Sequence, residues 1–279
     1  MIMNRNGFFG KNLAAVMAVV VLSMWAGASA MGGIEGFSGG VCIEGISGGA
    51  DGGKPADRAS AIVTERVRVE GFDRMEIDDI VSVEYRQGPF PGYVEIETMA
   101  RFIDKFCVTV NDRTLRVGCN AESVNGRGVK FVVKVTAPEL KEVTLAGVTS
   151  FVAEGRFQID DTFRLMATGV NEVSFGEVEG RKMEIDTQGV GKIYMLAAEL
   201  EELNVNGDGV SNIRLKGLNV GRITAKADGP SEIVLGGRCR SIKKDEAGVG
   251  EINTHGLIVE SIPAKPSGKG GRKGMPRTP

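Results

Sequence analysis

Hydrophobic and polar residues alternate along much of the chain, in short runs that glycine interrupts at regular intervals. Examples of apolar residues two positions apart are Phe163/Leu165, Met183/Ile185 and Leu203/Val205. A period of two is typical of β-strands that bury one face. The pattern therefore predicts an all-β domain built from short strands and tight turns.

The turns recur at a nearly fixed interval in the second half of the chain. Six segments align on a keyed glycine that is followed, four positions later, by an apolar residue. The keyed glycines are Gly147, Gly169, Gly189, Gly209, Gly229 and Gly248. Glycine at one turn position suits a backbone with positive φ. Units of about 20 residues cannot enclose a core alone, so neighbouring units are expected to stack. We predict a parallel β-helix (β-solenoid) with about 20-residue rungs. The alternative is an antiparallel sandwich, which would not need a fixed period.

The first 30 residues have the pattern of a secretory signal peptide. Arg5 and Lys11 precede an apolar stretch over residues 13–25, and Ala28-Ser29-Ala30 forms a cleavage site. The stretch is short for a transmembrane anchor, which is the alternative. We therefore expect an exported protein of the periplasm, the outer-membrane surface or the medium, without a transmembrane span after signal cleavage.

Composition changes mark the other boundaries. Residues 31–61 are Gly-rich and predict a flexible linker. The β-solenoid domain is expected over residues 62–262, with irregular rungs in 62–140 and regular repeats in 141–257. Residues 263–279 are basic and Pro-containing, which predicts a disordered tail. An electrostatic contact of this tail with an anionic surface is the alternative.

Composition and charge exclude some classes of protein. Glycine accounts for 40 of 279 residues but proline for only 9, which argues against collagen. The net charge is −2, or −4 without the signal peptide, and gives no reason to expect a nucleic-acid partner.

Two segments resemble a known family. They are Glu70-Gly71-Phe72, continued by Val83-Glu84-Tyr85-Arg86-Gln87-Gly88, and Val135-Thr136-Ala137-Pro138-Glu139-Leu140. With the turns that follow, they resemble the head GIN-domain family of auto-transporter adhesins, common in Bacteroidetes, over roughly residues 66–257. The resemblance implies a right-handed β-helix similar to pectate lyases but without their catalytic residues, and a role in adhesion.

The sequence departs from that family directly after the keyed glycines. A larger residue replaces the family's small one at Val148, Val170, Val190, Val210, Pro230 and Val249. The turn is therefore bulkier, and an inward orientation of the valines is one interpretation.

Few residues suggest chemistry. Asp208 and Asp228 precede successive keyed glycines and are expected to stack, which makes them a weak candidate for Ca²⁺. An aspartate at a turn more often accepts hydrogen bonds from backbone N–H groups. Phosphate-loop, zinc-protease and serine-hydrolase motifs are absent from the sequence, so we predict neither a metal site nor a cofactor, and no catalytic residues.

Four cysteines leave three disulfide connectivities open in an exported protein. Cys107 and Cys119 flank a turn, but their alternation is out of phase, so a bridge between them needs a bulge. Cys239 aligns with apolar positions of other rungs and is expected to pack as a small core residue. The connectivity of Cys42 remains open.

The remaining candidate is a row of polar residues that lies three positions after the keyed glycines. It consists of Glu172, Lys192, Asn212, Glu232 and Glu251. We interpret it as a possible binding ladder, with a solvated face as the alternative. The sequence thus favours an exported, non-enzymatic surface-binding module whose partner is a glycan or an envelope or host surface protein, and exposed solenoid ends that allow a homo-oligomer. A pectate-lyase-like enzyme and a structural envelope component are the alternatives.

Overall fold

The computed structural model describes residues 61–119 and 131–260, and the backbone strand of residues 41–42. Most of the described chain is β-strand. The strands are β1 (Val41–Cys42), β2 (Ile62–Arg68), β3 (Arg74–Ile77), β4 (Ile80–Gln87), β5 (Tyr93–Met99), β6 (Phe106–Asn111), β7 (Thr114–Cys119), β8 (Phe131–Ala137), β9 (Glu142–Leu145), β10 (Val148–Ala227), β11 (Glu232–Glu246) and β12 (Glu251–Val259). A 3-10 helix (Ala100–Lys105) follows β5. The all-β class is confirmed.

The predicted signal peptide and basic tail lie outside the described residues. So does most of the predicted linker, although its residues Val41 and Cys42 form β1 and pair antiparallel with β6. A part of the segment interpreted as a linker is therefore joined to the sheet.

The second half of the chain is built from parallel pairing of successive segments. β10 is 80 residues long, and a straight strand of that length would extend about 260 Å, so the chain must bend repeatedly. β10 pairs in parallel with β4 and β9 near its start and with β11 at its end, and β11 pairs in parallel with β12. Asn212 lies opposite Glu232, and Glu232 lies opposite Glu251.

The first half follows the prediction of irregular parallel rungs over 62–140 only in part: β3 pairs in parallel with β7 and β9, and β4 pairs in parallel with β8. β2 pairs antiparallel with β5, β5 with β8, and β6 with β7, so the sheet as a whole is mixed. The physical reason is visible between β6 and β7, where Asp112 and Arg113 both have positive φ. Two consecutive residues with positive φ form the tight hairpin turn that returns a strand antiparallel to itself.

A continuous apolar core runs beneath both halves. At the start of β10 it contains an aromatic cluster in which neighbouring rings lie 4.8–6.1 Å apart, centre to centre. Its members are Tyr85, Phe151, Phe157, Phe163 and Phe175. The Tyr85 hydroxyl donates a hydrogen bond to the carbonyl of Ala137, which satisfies the one polar atom of this cluster.

The keyed glycines stack on one another at a corner of the successive segments. All six have positive φ, between 66° and 116°. A β-carbon on Gly189 would lie 2.6 Å from the carbonyl oxygen of Gly169, so this position excludes side chains on steric as well as conformational grounds.

The residues after the keyed glycines correct the interpretation that the valines point inward. Val210 and Val249 are 54% and 76% exposed, whereas Ser211 and Ser231, one position after Val210 and Pro230, are buried. The period of two explains this arrangement. The apolar residue four positions after each keyed glycine faces the core, and the residue two positions after the same glycine therefore faces the core as well. The Ser231 hydroxyl donates to the carbonyl of Gly207, which satisfies it inside the corner.

The buried carboxylate of Asp73 links the turn between β6 and β7 to the residue that precedes β9. Asp73 accepts hydrogen bonds from Lys141 Nζ at 2.9 Å and from Arg113 Nε at 3.2 Å. Burial opposes ionisation of Asp73, but Lys141 and Arg113 together keep its pKa below the ordinary value. The carboxylate is therefore charged at neutral pH and linked to two cations.

The cysteines follow their predicted phases. Cys107 is disulfide-bonded and lies opposite Cys42 in the register of β1 and β6. Cys119 and Cys239 are free and buried, so the bridge between Cys107 and Cys119 is not formed. Burial raises the pKa of Cys119 to about 12.

Candidate functional site

The predicted ladder lies on an outward surface that we call the ladder face. It comprises the residues three and five positions after the keyed glycines from Gly169 onward. These are Glu172, Lys192, Asn212, Glu232 and Glu251, followed by Ser174, Tyr194, Arg214, Val234 and Asn253. Alternate residues between them, such as Ile193, Ile213 and Ile233, are buried in the core. The face is therefore supported by a packed sheet and presents its side chains at a strand spacing of about 4.8 Å.

Three polar side chains at the centre of the ladder face bind one another. Asn212 Nδ2 donates to Glu232 Oε2 at 2.6 Å, and Arg214 Nη2 donates to the same oxygen at 3.1 Å. Arg214 Nε also donates to Asn212 Oδ1 at 2.8 Å. The network holds three partly exposed side chains in a fixed arrangement, so they keep one geometry without a ligand.

At the end of the ladder formed by Glu172, the carboxylate is partly buried, which disfavours its charged form. Gly189 stacks on Gly169, which brings Lys192 and Glu172 onto neighbouring segments. Glu172 is half-buried, and burial raises the pKa of its carboxyl although Lys192 opposes this change. The raised pKa marks a carboxylate that has lost part of its hydration.

Two exposed apolar side chains on and beside this face were not singled out by the sequence interpretation. Tyr194 is 36% exposed, and Leu196, the next outward residue of the same segment, is 57% exposed. The alternation contains the signal for them, because residues between inward Ile193 and Met195 must point outward. An exposed aromatic ring beside Lys192 and Arg214 can contact a partner through its apolar face.

The weak metal candidate is not brought together as a ligand set. Asp228 Oδ1 accepts a hydrogen bond from the backbone N–H of Gly229 at 2.9 Å, which is the turn role of an aspartate. Lys226 Nζ lies 3.8 Å from the other oxygen of Asp228. Across the described ranges, no group of three or more His, Cys, Asp or Glu side chains has the arrangement of a metal site.

Comparison with family models identifies the family to which this fold belongs. A family model described as "Putative auto-transporter adhesin, head GIN domain" matches residues 71–229 and 196–273. The first match alone covers more than half of the 279 residues. The chain belongs to this family, as the resemblance in its sequence predicts.

Solved structures share its fold. A structure described as a putative adhesin from Bacteroides fragilis is 18% identical, with a TM-score of 0.62 over 72% of this chain and 99% of that chain. One described as a putative lipid binding protein from Parabacteroides distasonis is 16% identical, with a TM-score of 0.53 over 71% of this chain and 96% of that chain. At these identities the likeness concerns the fold alone.

One further comparison and a search for membrane-spanning helices both gave negative results. No curated protein matches the chain. In the part of the chain that the structure describes, no helix has the length and apolarity required to cross a membrane.

Proposed function

We propose that this chain is an exported, non-enzymatic, surface-binding module of the adhesin type that contacts a glycan at the cell envelope through its ladder face. Membership of the adhesin family supports a surface-binding role. The observation that carries the proposal is the preorganised network of Asn212, Arg214 and Glu232 beside exposed Tyr194 and Leu196. Polar side chains fixed beside an exposed aromatic ring suit the hydroxyls and apolar ring faces of a sugar.

The scaffold in this proposal is a right-handed β-helix with rungs of about 20 residues over the parallel region. The parallel register between Asn212 and Glu232 supports that rung length, as does the contact of Gly189 with Gly169. Such a scaffold repeats one outward position at intervals of about 4.8 Å, so a chain-like partner can engage several segments.

Binding and turnover can be tested together. The mature chain is applied to a glycan array with and without Ca²⁺, and every bound glycan is then incubated with the protein and assayed for released reducing ends and unsaturated products. The proposal expects binding without release. Released sugars would support the enzyme alternative, and absence of binding to every glycan would shift the role to a protein partner or to structure.

The ladder face can be tested with a matched pair of variants. Tyr194→Ala combined with Leu196→Ser removes the exposed apolar side chains, and we expect the Kd for the bound glycan to rise about tenfold. The control combines Ile62→Ser and Met166→Ser, which removes exposed apolar side chains outside the ladder face. Equal effects of the two pairs would exclude the ladder face as the contact surface.

A further inference from the structure

A second concave surface, which we call the corner notch, lies away from the ladder face. Its cavity has a volume of about 210 Å³. Polar side chains form its rim, namely Glu199, Glu201, Asn219, Arg238, Arg240 and Glu260. The buried residues Leu200, Val220 and Cys239 form its floor.

The notch exists because a glycine interrupts a row of large side chains. The parallel register pairs Asn219 with Arg238 and Val220 with Cys239, so the next residue, Gly221, lies beside Arg240. On its other side Gly221 lies against the backbone of Glu201, where a β-carbon would be 2.6 Å from the carbonyl oxygen. Gly221 therefore leaves a gap between a segment with two glutamates and a segment with two arginines.

Four of the charged side chains around this gap lack a partner among the described residues. Within the described ranges, Glu199, Glu201, Arg238 and Arg240 form no side-chain hydrogen bond or ion pair. The nearby ion pairs join other residues, such as Arg222 with Glu202. Two strand spacings separate the glutamates from the arginines, about 10 Å, which is too far for direct pairing but can be spanned by a ligand.

We propose that the corner notch binds one acidic sugar residue of the uronic-acid class within a glycan chain. The guanidinium groups of Arg238 and Arg240 suit a planar carboxylate, which an arginine can bind through two parallel hydrogen bonds. Glu199 and Glu201 are acceptors for the hydroxyl groups at the opposite side of the ring, and Asn219 can both donate and accept.

The shape and the mixed charge favour this ligand class over simpler anions. Drug-sized ligands occupy pockets of about 300–1,000 Å³, so the smaller notch fits a single ring. A bare phosphate or sulfate would use the arginines but would leave the glutamates as repulsive neighbours. A uronate carries its carboxylate at one side of the ring and hydroxyls at the other, which matches Arg238 and Arg240 on one side of the gap and Glu199 and Glu201 on the other. Glu260 lies outside this gap, on the segment beyond the arginines.

This inference rests on the proposed surface-binding function, since it specifies the sugar class and adds a second point of contact. The test measures the Kd of the mature chain by calorimetry for trimers of galacturonate, glucuronate and mannuronate. Each trimer is compared with its carboxyl-reduced, neutral form. We expect at least one acidic trimer to bind about tenfold or more tightly than its neutral form.

Variants assign the binding to the notch. Arg238→Ala combined with Arg240→Ala is expected to abolish the preference for the acidic trimer over its neutral form. Arg68→Ala combined with Arg74→Ala removes two exposed arginines outside the notch and is expected to leave that preference unchanged. Glu199→Gln combined with Glu201→Gln is expected to weaken both trimers, because an amide is a poorer acceptor than a carboxylate.

The outcomes separate this inference from the proposed function. Failure of every acidic trimer to bind, or equal loss in the control variant, would overturn the notch as a uronate site. If array glycans still bind through the ladder face in that case, the surface-binding function stands without the notch. Free galacturonate that competes as strongly as the trimer would show that a single monosaccharide fills the site.

Discussion

Replacement of a keyed glycine tests how the corners of the parallel region are held together. Gly189 has φ of 116°, and a β-carbon there would lie 2.6 Å from the carbonyl oxygen and 3.1 Å from the amide nitrogen of Gly169. Gly189→Ala therefore introduces both backbone strain and a clash with neighbouring backbone. Strain at positive φ costs about 1–2 kcal/mol, and an unrelieved clash adds about 1–3 kcal/mol.

Two other glycines separate these contributions. Gly155 also has positive φ, 74°, but a β-carbon there meets no atom within 4 Å. Gly155→Ala carries the strain alone and should cost about 1 kcal/mol, because the lost chain entropy of the unfolded state offsets part of it. Gly71 has neither feature, so Gly71→Ala should change the free energy of unfolding by less than about 0.5 kcal/mol.

Urea denaturation followed by circular dichroism measures all three variants against the parent chain. The expected order of stability is Gly71→Ala, then Gly155→Ala, then Gly189→Ala, with the last destabilised by about 2–5 kcal/mol in total. If Gly189→Ala unfolds at the same urea concentration as Gly155→Ala, close stacking of the glycine corners is refuted.

Three further predictions concern buried or half-buried titratable groups. Asp73→Asn should lower the free energy of unfolding by about 1–2 kcal/mol in urea at pH 7, because it removes the charged partner of Lys141. The pKa of Asp73 is lowered in the fold, so this contribution is present above the ordinary aspartate pKa and is lost as the pH falls through the folded-state pKa. If parent and variant differed in free energy of unfolding as much at pH 2 as at pH 7, this prediction would be wrong. Iodoacetamide at pH 8 should leave Cys119 unmodified in the folded chain and modify it in denaturant, because the thiol is buried and its pKa is raised. Peptide mapping identifies the modified residue, and modification of Cys119 in the folded chain would contradict this prediction. Glu172→Gln should raise the melting temperature at pH 7, because burial raises the pKa of Glu172 and makes its charged form costly despite Lys192. The difference should shrink as the pH falls through the folded-state pKa and disappear below the ordinary glutamate pKa.

The cysteines show which disulfide pairings can be predicted from the alternation of residues within a strand and which cannot. The phase of Cys107 and Cys119 argued against a bridge between them, and Cys119 is indeed buried on the opposite face of the hairpin. The pairing of β1 with β6 could not be predicted from the sequence, because Cys42 lies in a Gly-rich stretch without a strand pattern. Contact between distant segments depends on the route of the whole chain.

The sequence by itself determined the all-β class, the keyed glycines and the inward ladder of isoleucines. These follow from local physics, namely the period of two in a strand and the need for glycine at a crowded turn with positive φ. The outward direction of Val210 also follows from that period once Ile213 is placed inside.

Only the tertiary structure decided the mixed sheet and the corner notch. Antiparallel and parallel strands share the same alternation, so the pattern over residues 62–140 could not distinguish hairpins from rungs. The notch brings Glu201 and Arg240 to either side of Gly221, although 38 residues separate them in the chain. Such a meeting depends on the register between segments, which is set by packing of the complete core and not by any one segment.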